Sequence, residues 1–272
     1  MIATCEKLIL TNENYFSKEN SMHYLGSSQY KDFSGTLGKT PCEAETIAKL
    51  DGKWEQKNTT ALLVGSYVDS HFEGTLDVFK AQHPDLFMKN GGLKADFRQA
   101  EEIIQRLERD ALFMQFMGGE KQVIMTANFL GADWKIKIDS YHPNVCIVDL
   151  KVMASLTKAN WVKDTGHVNF IDYWGYDIQA AIYQKVVELN TGNKLPFYIA
   201  GASKEKTTNL EVIQLPQSMM DNALNQIETN IPRILALKKK EVAPDRCEQC
   251  DYCRFTKVLT APIPPDMLLL DI

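Results

Sequence analysis

The 272 residues are 44% apolar, enough for a hydrophobic core and for one large domain or two small ones. Thirty-five acidic residues against thirty basic ones give a net charge of -5, which excludes a protein that coats nucleic acid by bulk electrostatics; any contact with phosphates must be local. No apolar run is long enough to span a membrane, and the start, MIATCEKLILTNENYFS, lacks the basic region, apolar stretch and cleavage site of a secretion signal, so a cytoplasmic protein with no membrane partner is expected.

The chain has no internal repeat, low-complexity tract or linker, and reads as one α/β domain in three parts: an N-terminal arm (1–40), a core (41–245) and a cysteine-bearing tail (246–272). The arm is rich in Ser, Asn, Gly and Lys, and is expected to be loose until Pro41 opens a helix over CEAETIAKL. Apolar residues at helical spacing predict one helix from Thr59 to about Ala81 and another from Ala95 to Met117, closed by Gly118-Gly119. Three strand-like runs follow, KQVIMTANFL, WKIKIDSY and VCIVDLK, separated by turn residues and read as a meander. After a polar loop through Gly166 come a helix from about Asp172 to Asn190, strands at LPFYIAGAS and LEVIQLP, and a helix from Gln217 to Lys240. The basic runs Lys204 to Lys206 and Lys238 to Lys240 are read as solvated faces.

Alternate residues of a strand share a face, so Asp149 and Lys151 in IVDLK project together, away from Val148 and Leu150. Asp139 ends the preceding strand, and the interval to Asp149 accommodates a hairpin turn that sets the two carboxylates side by side. Such a pair repels unless a cation sits between, and hard oxygen ligands suit Mg²⁺ or Mn²⁺. Taken alone, the three residues are explained as well by strand ends at a solvated edge, with Lys151 paired to one acid.

Downstream, Gln179 and Tyr183 in YDIQAAIYQ lie four residues apart, on one face of a helix. Upstream, GSYVDSH places Asp69 four residues after Gly65 and His71 two residues further on. Asp69 and His71 are about 200° apart around a helix, so both cannot face one site. Asp69 falls nearer the apolar stripe, where a carboxylate needs a partner such as a metal, and His71 is expected to be exposed.

The runs IKIDSY and IVDLK, with this Gln and Tyr, resemble the PD-(D/E)xK nucleases, and the wording is similar to the RecB-like and phage-type RecE-like branches over Gly65 to Tyr183. The resemblance implies a restriction-endonuclease-like core, a central mixed sheet flanked by helices. It carries Asp139, Asp149 and the Leu150 carbonyl as ligands of Mg²⁺ or Mn²⁺, Lys151 as the catalytic lysine, and Gln179 and Tyr183 as groups that position the water or the scissile strand. Where relatives carry G-x-x-x-H, this chain reads Asp69, the favoured third ligand. The implied activity is a Mg²⁺-dependent deoxyribonuclease, an exonuclease on linear duplex ends that supplies single strands for recombination. It would work beside a single-strand annealing recombinase, as a homo-oligomer. An endonuclease or flap nuclease of the same fold, a catalytically inactive DNA-binding module, and a hydrolase of small phosphate esters are the alternatives.

Cys247, Cys250 and Cys253 in RCEQCDYCRF pack three soft ligands into seven residues, the mark of zinc or an iron–sulfur cluster. Some RecB-like nucleases place one cysteine before the core and three after it, and on that resemblance Cys42 is the fourth ligand and a [4Fe-4S] cluster the first expectation, with zinc second. Cys146, in the apolar run VCIV, is read as a core residue and Cys5 as a bystander.

Overall fold

The computed structural model describes residues 9–55 and 59–265, so Cys5 lies outside the described residues. The expected loose arm is instead built into the molecule. It forms α1 (Lys18–His23) and α2 (Ser27–Ser34), and buries Leu25, Tyr30 and Phe33 in the main core. Between the two helices, Leu25 donates to the Asp133 carbonyl at 2.8 Å and accepts from the Lys135 amide at 3.1 Å. Part of the polar composition that suggested a loose segment lies on exposed positions such as Lys18, Glu19 and Ser28, while Asn20 and Ser27 are buried.

Five helices and a short helical turn at Pro84–Leu86 follow. After α3 (Glu43–Leu50), the expected helix 59–81 divides into α4 (Thr60–Glu73) and α5 (Leu76–Gln82). Gly74, at φ 77°, closes α4 in the left-handed conformation that favours glycine. The expected helix 95–117 likewise divides into α6 (Ala95–Glu108) and α7 (Ala111–Phe116) because the Asp110 carboxylate accepts from the Phe113 amide and caps a new helix. Along α6, Phe97, Ala100, Ile104 and Leu107 repeat at three- and four-residue steps and form its buried stripe.

The strands are β1 (Val123–Phe129), β2 (Ala132–Ile138), β3 (Ser140–His142) and β4 (Cys146–Met153). A small hairpin, β5 (Asn160–Val162) with β6 (Gly166–Val168), occupies the expected polar loop. Then come α8 (Phe170–Trp174), α9 (Tyr176–Thr191), β7 (Phe197–Ser203), β8 (Leu210–Gln214), α10 (Gln217–Lys238) and α11 (Asp251–Phe255). Gly175, at φ 62°, separates α8 from α9 within the expected single helix.

The central sheet is mixed, in the order β3-β4-β7-β8, with β4 and β7 parallel and the other pairs antiparallel. This departs from the expected meander: β1 and β2 pair as a separate hairpin, and the run WKIKIDSY breaks at Asp139. One face of the sheet, through Ile147 and Ile199, packs on α9, α10 and the β1-β2 hairpin. The other, through Val148, Leu150 and Ala200, packs on α4 and α6. Strand β4 is thus covered on both faces, and whatever polar group it carries is forced to find a partner. Among the described residues, no helix is long and apolar enough to cross a membrane.

Candidate active site and cysteine centre

The break in WKIKIDSY is what makes a site. Ser140 pairs with Val148, and the same register continued by one step sets Asp139 opposite Asp149. Asp139 has left the strand, and its Oδ2 accepts the Leu150 amide at 2.8 Å, so a carboxylate stands where a backbone carbonyl would otherwise complete the ladder. Gln122 approaches the other oxygen at 3.5 Å, from a backbone held at φ 53°.

Asp149 is 3% exposed. Its Oδ1 accepts from Gln179 Nε2 at 2.7 Å. Its Oδ2 lies against the Lys151 ammonium but accepts no aligned hydrogen bond, leaving a buried oxygen short of a partner. Lys151 also reaches the Leu150 carbonyl at 3.3 Å. Its ammonium therefore stands against two of the oxygens that the sequence offers to a metal, those of Asp149 and Leu150.

Asp69, Asp139, Asp149, Leu150, Lys151 and Gln179 line one cavity of about 590 Å³. Burial, followed by the charge of Asp139, pushes the Asp69 carboxyl well above its ordinary range. Burial and then Asp149 push Asp139 up to about 7. For Lys151, burial alone would lower the pKa, but Asp149, Tyr176 and Asp139 outweigh it and the net direction is up. The Asp69 and Asp139 carboxyls, pushed up by burial and then by neighbouring acidic charge, and a buried Asp149 oxygen that has only the Lys151 ammonium against it form a site that a divalent cation would relieve.

Asp69 and His71 separate as their helical spacing demands. Asp69 faces the cavity, whereas His71 lies outside it and its Nε2 pairs with Glu108 Oε1 at 2.8 Å. Gln179 and Tyr183 share a face of α9, but their partners differ. Tyr183 donates its hydroxyl to the Lys137 carbonyl at 3.0 Å, fixing the end of β2 just before Asp139. Sequence reasoning missed Glu73, which lines the same cavity one turn after Asp69; its i, i+4 spacing was the available signal. It also missed Lys135 and Lys137, whose two-residue spacing to Asp139 in WKIKIDSY was the available signal, and Gln122, for which no local pattern existed.

At the other end of the chain the four thiols converge. Cys42, the residue that caps α3, has its Sγ 3.5 Å from Cys253 Sγ and 3.6 Å from Cys250 Sγ, and Cys247 Sγ is 4.0 Å from Cys253 Sγ. All four sulfurs lie within 4.8 Å of one another. Arg233 of α10 ties the same corner, with bonds of 2.5 and 2.7 Å to Glu43 and 2.7 Å to Asp245. Burial would raise the Cys247 thiol, but amides of Gln249 and Cys250 aimed at its sulfur bring it down to about 7. Cys250 is pushed up, first by burial and then by its neighbouring sulfurs. Cys146 is buried in the α4–α6 core, as expected.

Comparison with known proteins agrees with this architecture. A solved structure of a proposed exonuclease from Eubacterium rectale is 55% identical, with a TM-score of 0.95 over 98% of this chain and 100% of its own. The structure of SSO0001 aligns at 13% identity with a TM-score of 0.29, too distant to carry an argument. No curated protein matches the sequence. Residues 26–256 match the model of a PDDEXK-like domain of unknown function, and the chain belongs to that family.

Proposed function

We propose that the protein is a Mg²⁺-dependent deoxyribonuclease, acting as an exonuclease on linear duplex DNA. The observation that carries this reading is the trio itself: half-buried Asp139 set opposite buried Asp149, with Lys151 against the Asp149 oxygen that lacks an aligned hydrogen bond. Asp69, Asp139, Asp149 and the Leu150 carbonyl would hold the cation. That cation supplies charge to offset the phosphodiester oxygens and lowers the pKa of water. Lys151, whose acidic neighbours hold it as an ammonium, stabilises negative charge on the phosphate rather than taking a proton. Gln179 orients Asp149 through its 2.7 Å bond, and Tyr183 fixes the strand that delivers Asp139. The exonuclease assignment is supported by the Eubacterium rectale protein, described as a proposed exonuclease and 55% identical. A role in supplying single strands to an annealing recombinase rests on the RecE-like motifs alone.

The test is digestion of one DNA sequence as linear duplex and as closed circle, with Mg²⁺ or EDTA. Mononucleotide release from the linear form only, abolished by EDTA and by Asp149→Asn, is expected. Cutting of the closed circle would replace exonuclease with endonuclease, and no cutting of either would remove the nuclease reading.

For the cysteine centre we infer zinc. Zinc–sulfur bonds of about 2.3 Å set the sulfurs of a tetrahedral site about 3.8 Å apart; three of the sulfur pairs stand 3.5, 3.6 and 4.0 Å apart and every pair lies within 4.8 Å. A [4Fe-4S] cluster, the first expectation from the resemblance, interposes a cage of iron and sulfide and needs its cysteines farther apart. One zinc per chain in a colourless solution is expected from elemental analysis of anaerobically purified protein. A brown solution with absorbance near 400 nm and four irons would reverse the assignment.

A further inference from the structure

The cavity that holds the carboxylates has a second, oppositely charged pole. Helix α2 begins there with Gly26 at its cap, and no side chain satisfies the free amides of its first turn. Those amides carry the partial positive charge of the helix start. A helix start is a generic feature, and three further observations make this one a built site.

Ser27 lines the cavity at 6% exposure, and among the described residues no hydrogen bond engages its hydroxyl. Lys135 and Lys137 line the same cavity from alternate positions of β2, and hence from one face of the strand. Lys135 is 5% exposed. Its ammonium donates to the Tyr15 carbonyl and sits 4.6 Å from the Tyr15 ring. Lys137 sits 5.3 Å from the Phe16 ring. Among the described residues neither lysine is ion-paired, in a protein whose net charge is -5. A buried ammonium with no carboxylate, beside an unused hydroxyl and a set of open amides, is costly to maintain unless an anion completes it.

The row Lys135, Lys137, Asp139 also gives a direction. Successive same-face residues of a strand are about 6.7 Å apart, a step comparable to that between neighbouring phosphates of an extended nucleic-acid strand. We propose that Ser27, the α2 amides, Lys135 and Lys137 form a phosphate cradle. It would grip the DNA strand one or two phosphates away from the phosphate that faces the carboxylates. The ligand class is a phosphate oxyanion of a nucleic-acid strand, and for that identity the proposal rests on the nuclease reading above. The placement of the arm follows from it: α1 and α2 are held against β2 because they complete one wall of the substrate channel.

Ser28 is exposed at the same helix start, so Ser28→Asp puts a negative charge where the helix favours one and a phosphate does not. Folding should be unharmed while strand binding suffers. Lys137→Gln removes one cation without emptying the core. The full-length protein, with Ca²⁺ in place of Mg²⁺ to prevent cutting, is titrated with fluorescent oligonucleotides bearing a 5′-phosphate, a 3′-phosphate or hydroxyl ends. Each variant is expected to bind about tenfold more weakly or worse, with the salt dependence of Lys137→Gln reduced by about one counterion and the unfolding midpoint kept. Loss confined to one phosphorylated end identifies the ligand as a terminal phosphate, and equal loss on every oligonucleotide identifies an internal phosphodiester. If wild type cuts DNA in Mg²⁺ while both variants bind with wild-type affinity and salt slope, the cradle is overturned alone. If wild type neither binds nor cuts DNA, the nuclease reading and the cradle's ligand fall together.

Discussion

Gln179 Nε2 donates to Asp149 Oδ1 at 2.7 Å, and both groups are almost fully buried. The bond spans β4 and α9, so the orientation of the deepest carboxylate is set by a helix that begins only after Gly175 has broken the chain from α8. A buried amide that faces a carboxylate presents its NH₂ to one oxygen; the second oxygen lies against the Lys151 ammonium and is the one a cation would reach.

Replacing Gln179 should therefore act through the metal. Gln179→Leu is expected to lower apparent Mg²⁺ affinity and nuclease rate by roughly 10- to 100-fold, with part of the rate recovered at high Mg²⁺. Gln179→Glu, which opposes a second carboxylate to Asp149, should be worse at neutral pH than Gln179→Leu. Isothermal titration with Mg²⁺, alongside the Mg²⁺ dependence of cutting, reads both. A rate loss that no Mg²⁺ concentration relieves, with Mg²⁺ binding unchanged, would place Gln179 on the substrate instead.

The pH dependence of Mg²⁺ binding follows from Asp139. Burial, then Asp149, raises its carboxyl to about 7 from an ordinary 3.8. Between those values the metal-free folded chain retains a proton that the unfolded chain has released, so its stability falls as pH rises from about 4 to about 7. Mg²⁺ binds the ionised form and must displace that proton below pH 7. The rise in unfolding temperature on adding saturating Mg²⁺ is thus expected to be larger at pH 8 than at pH 6. Equal rises at the two pH values would show that Asp139 does not titrate in this window.

Asp149 with Lys151, and Gln179 with Tyr183, were legible because strand and helix periods act locally: two residues apart on a strand, four on a helix. Asp69 was distinguishable from His71 for the same reason. The opposition of Asp139 and Asp149 was less so, since it depends on a strand breaking where one side chain takes over a ladder hydrogen bond from Leu150. The arm was illegible. Leu25 is bonded to β2 across more than a hundred residues of chain, and nothing near Leu25 encodes that distant contact. Gln122 depends on a left-handed backbone at a residue with no turn chemistry of its own. The convergence of Cys42 with the tail was legible through the resemblance and not through any local period, and the Arg233–Glu43 contact that ties the same corner was invisible at short range.

Removal of the metal proposed for the four cysteines should loosen that corner and leave the carboxylate cavity, which no cysteine lines, intact. Cys42→Ser is expected to lower the unfolding midpoint by roughly 5 °C or more, since a structural metal contributes its binding energy to folding. Cutting rate at low temperature should stay within about twofold. Calorimetry and a low-temperature nuclease assay on the same preparation separate the two effects. Unchanged unfolding would mean that protein contacts, such as Arg233 with Glu43 and Asp245 and Trp54 with Tyr252 and Phe255, hold the tail without a metal.

Lys151 makes opposite predictions for chemistry and for metal. Its ammonium is the cation now facing Asp149 and, through charge, Asp139. Lys151→Met keeps the length and removes the charge, so cutting should fall by a factor of about 10³ or more if charge on the phosphate is what the lysine stabilises. The carboxylates, left without a counter-charge, should repel more strongly in the metal-free protein and lower its unfolding temperature. Mg²⁺ then has more to relieve. Its affinity for Lys151→Met should equal or exceed that for wild type, and its stabilising effect should be larger. Titration calorimetry and thermal unfolding with and without Mg²⁺ check the pair of outcomes; a variant that loses both cutting and Mg²⁺ binding would show that the lysine builds the site rather than working within it.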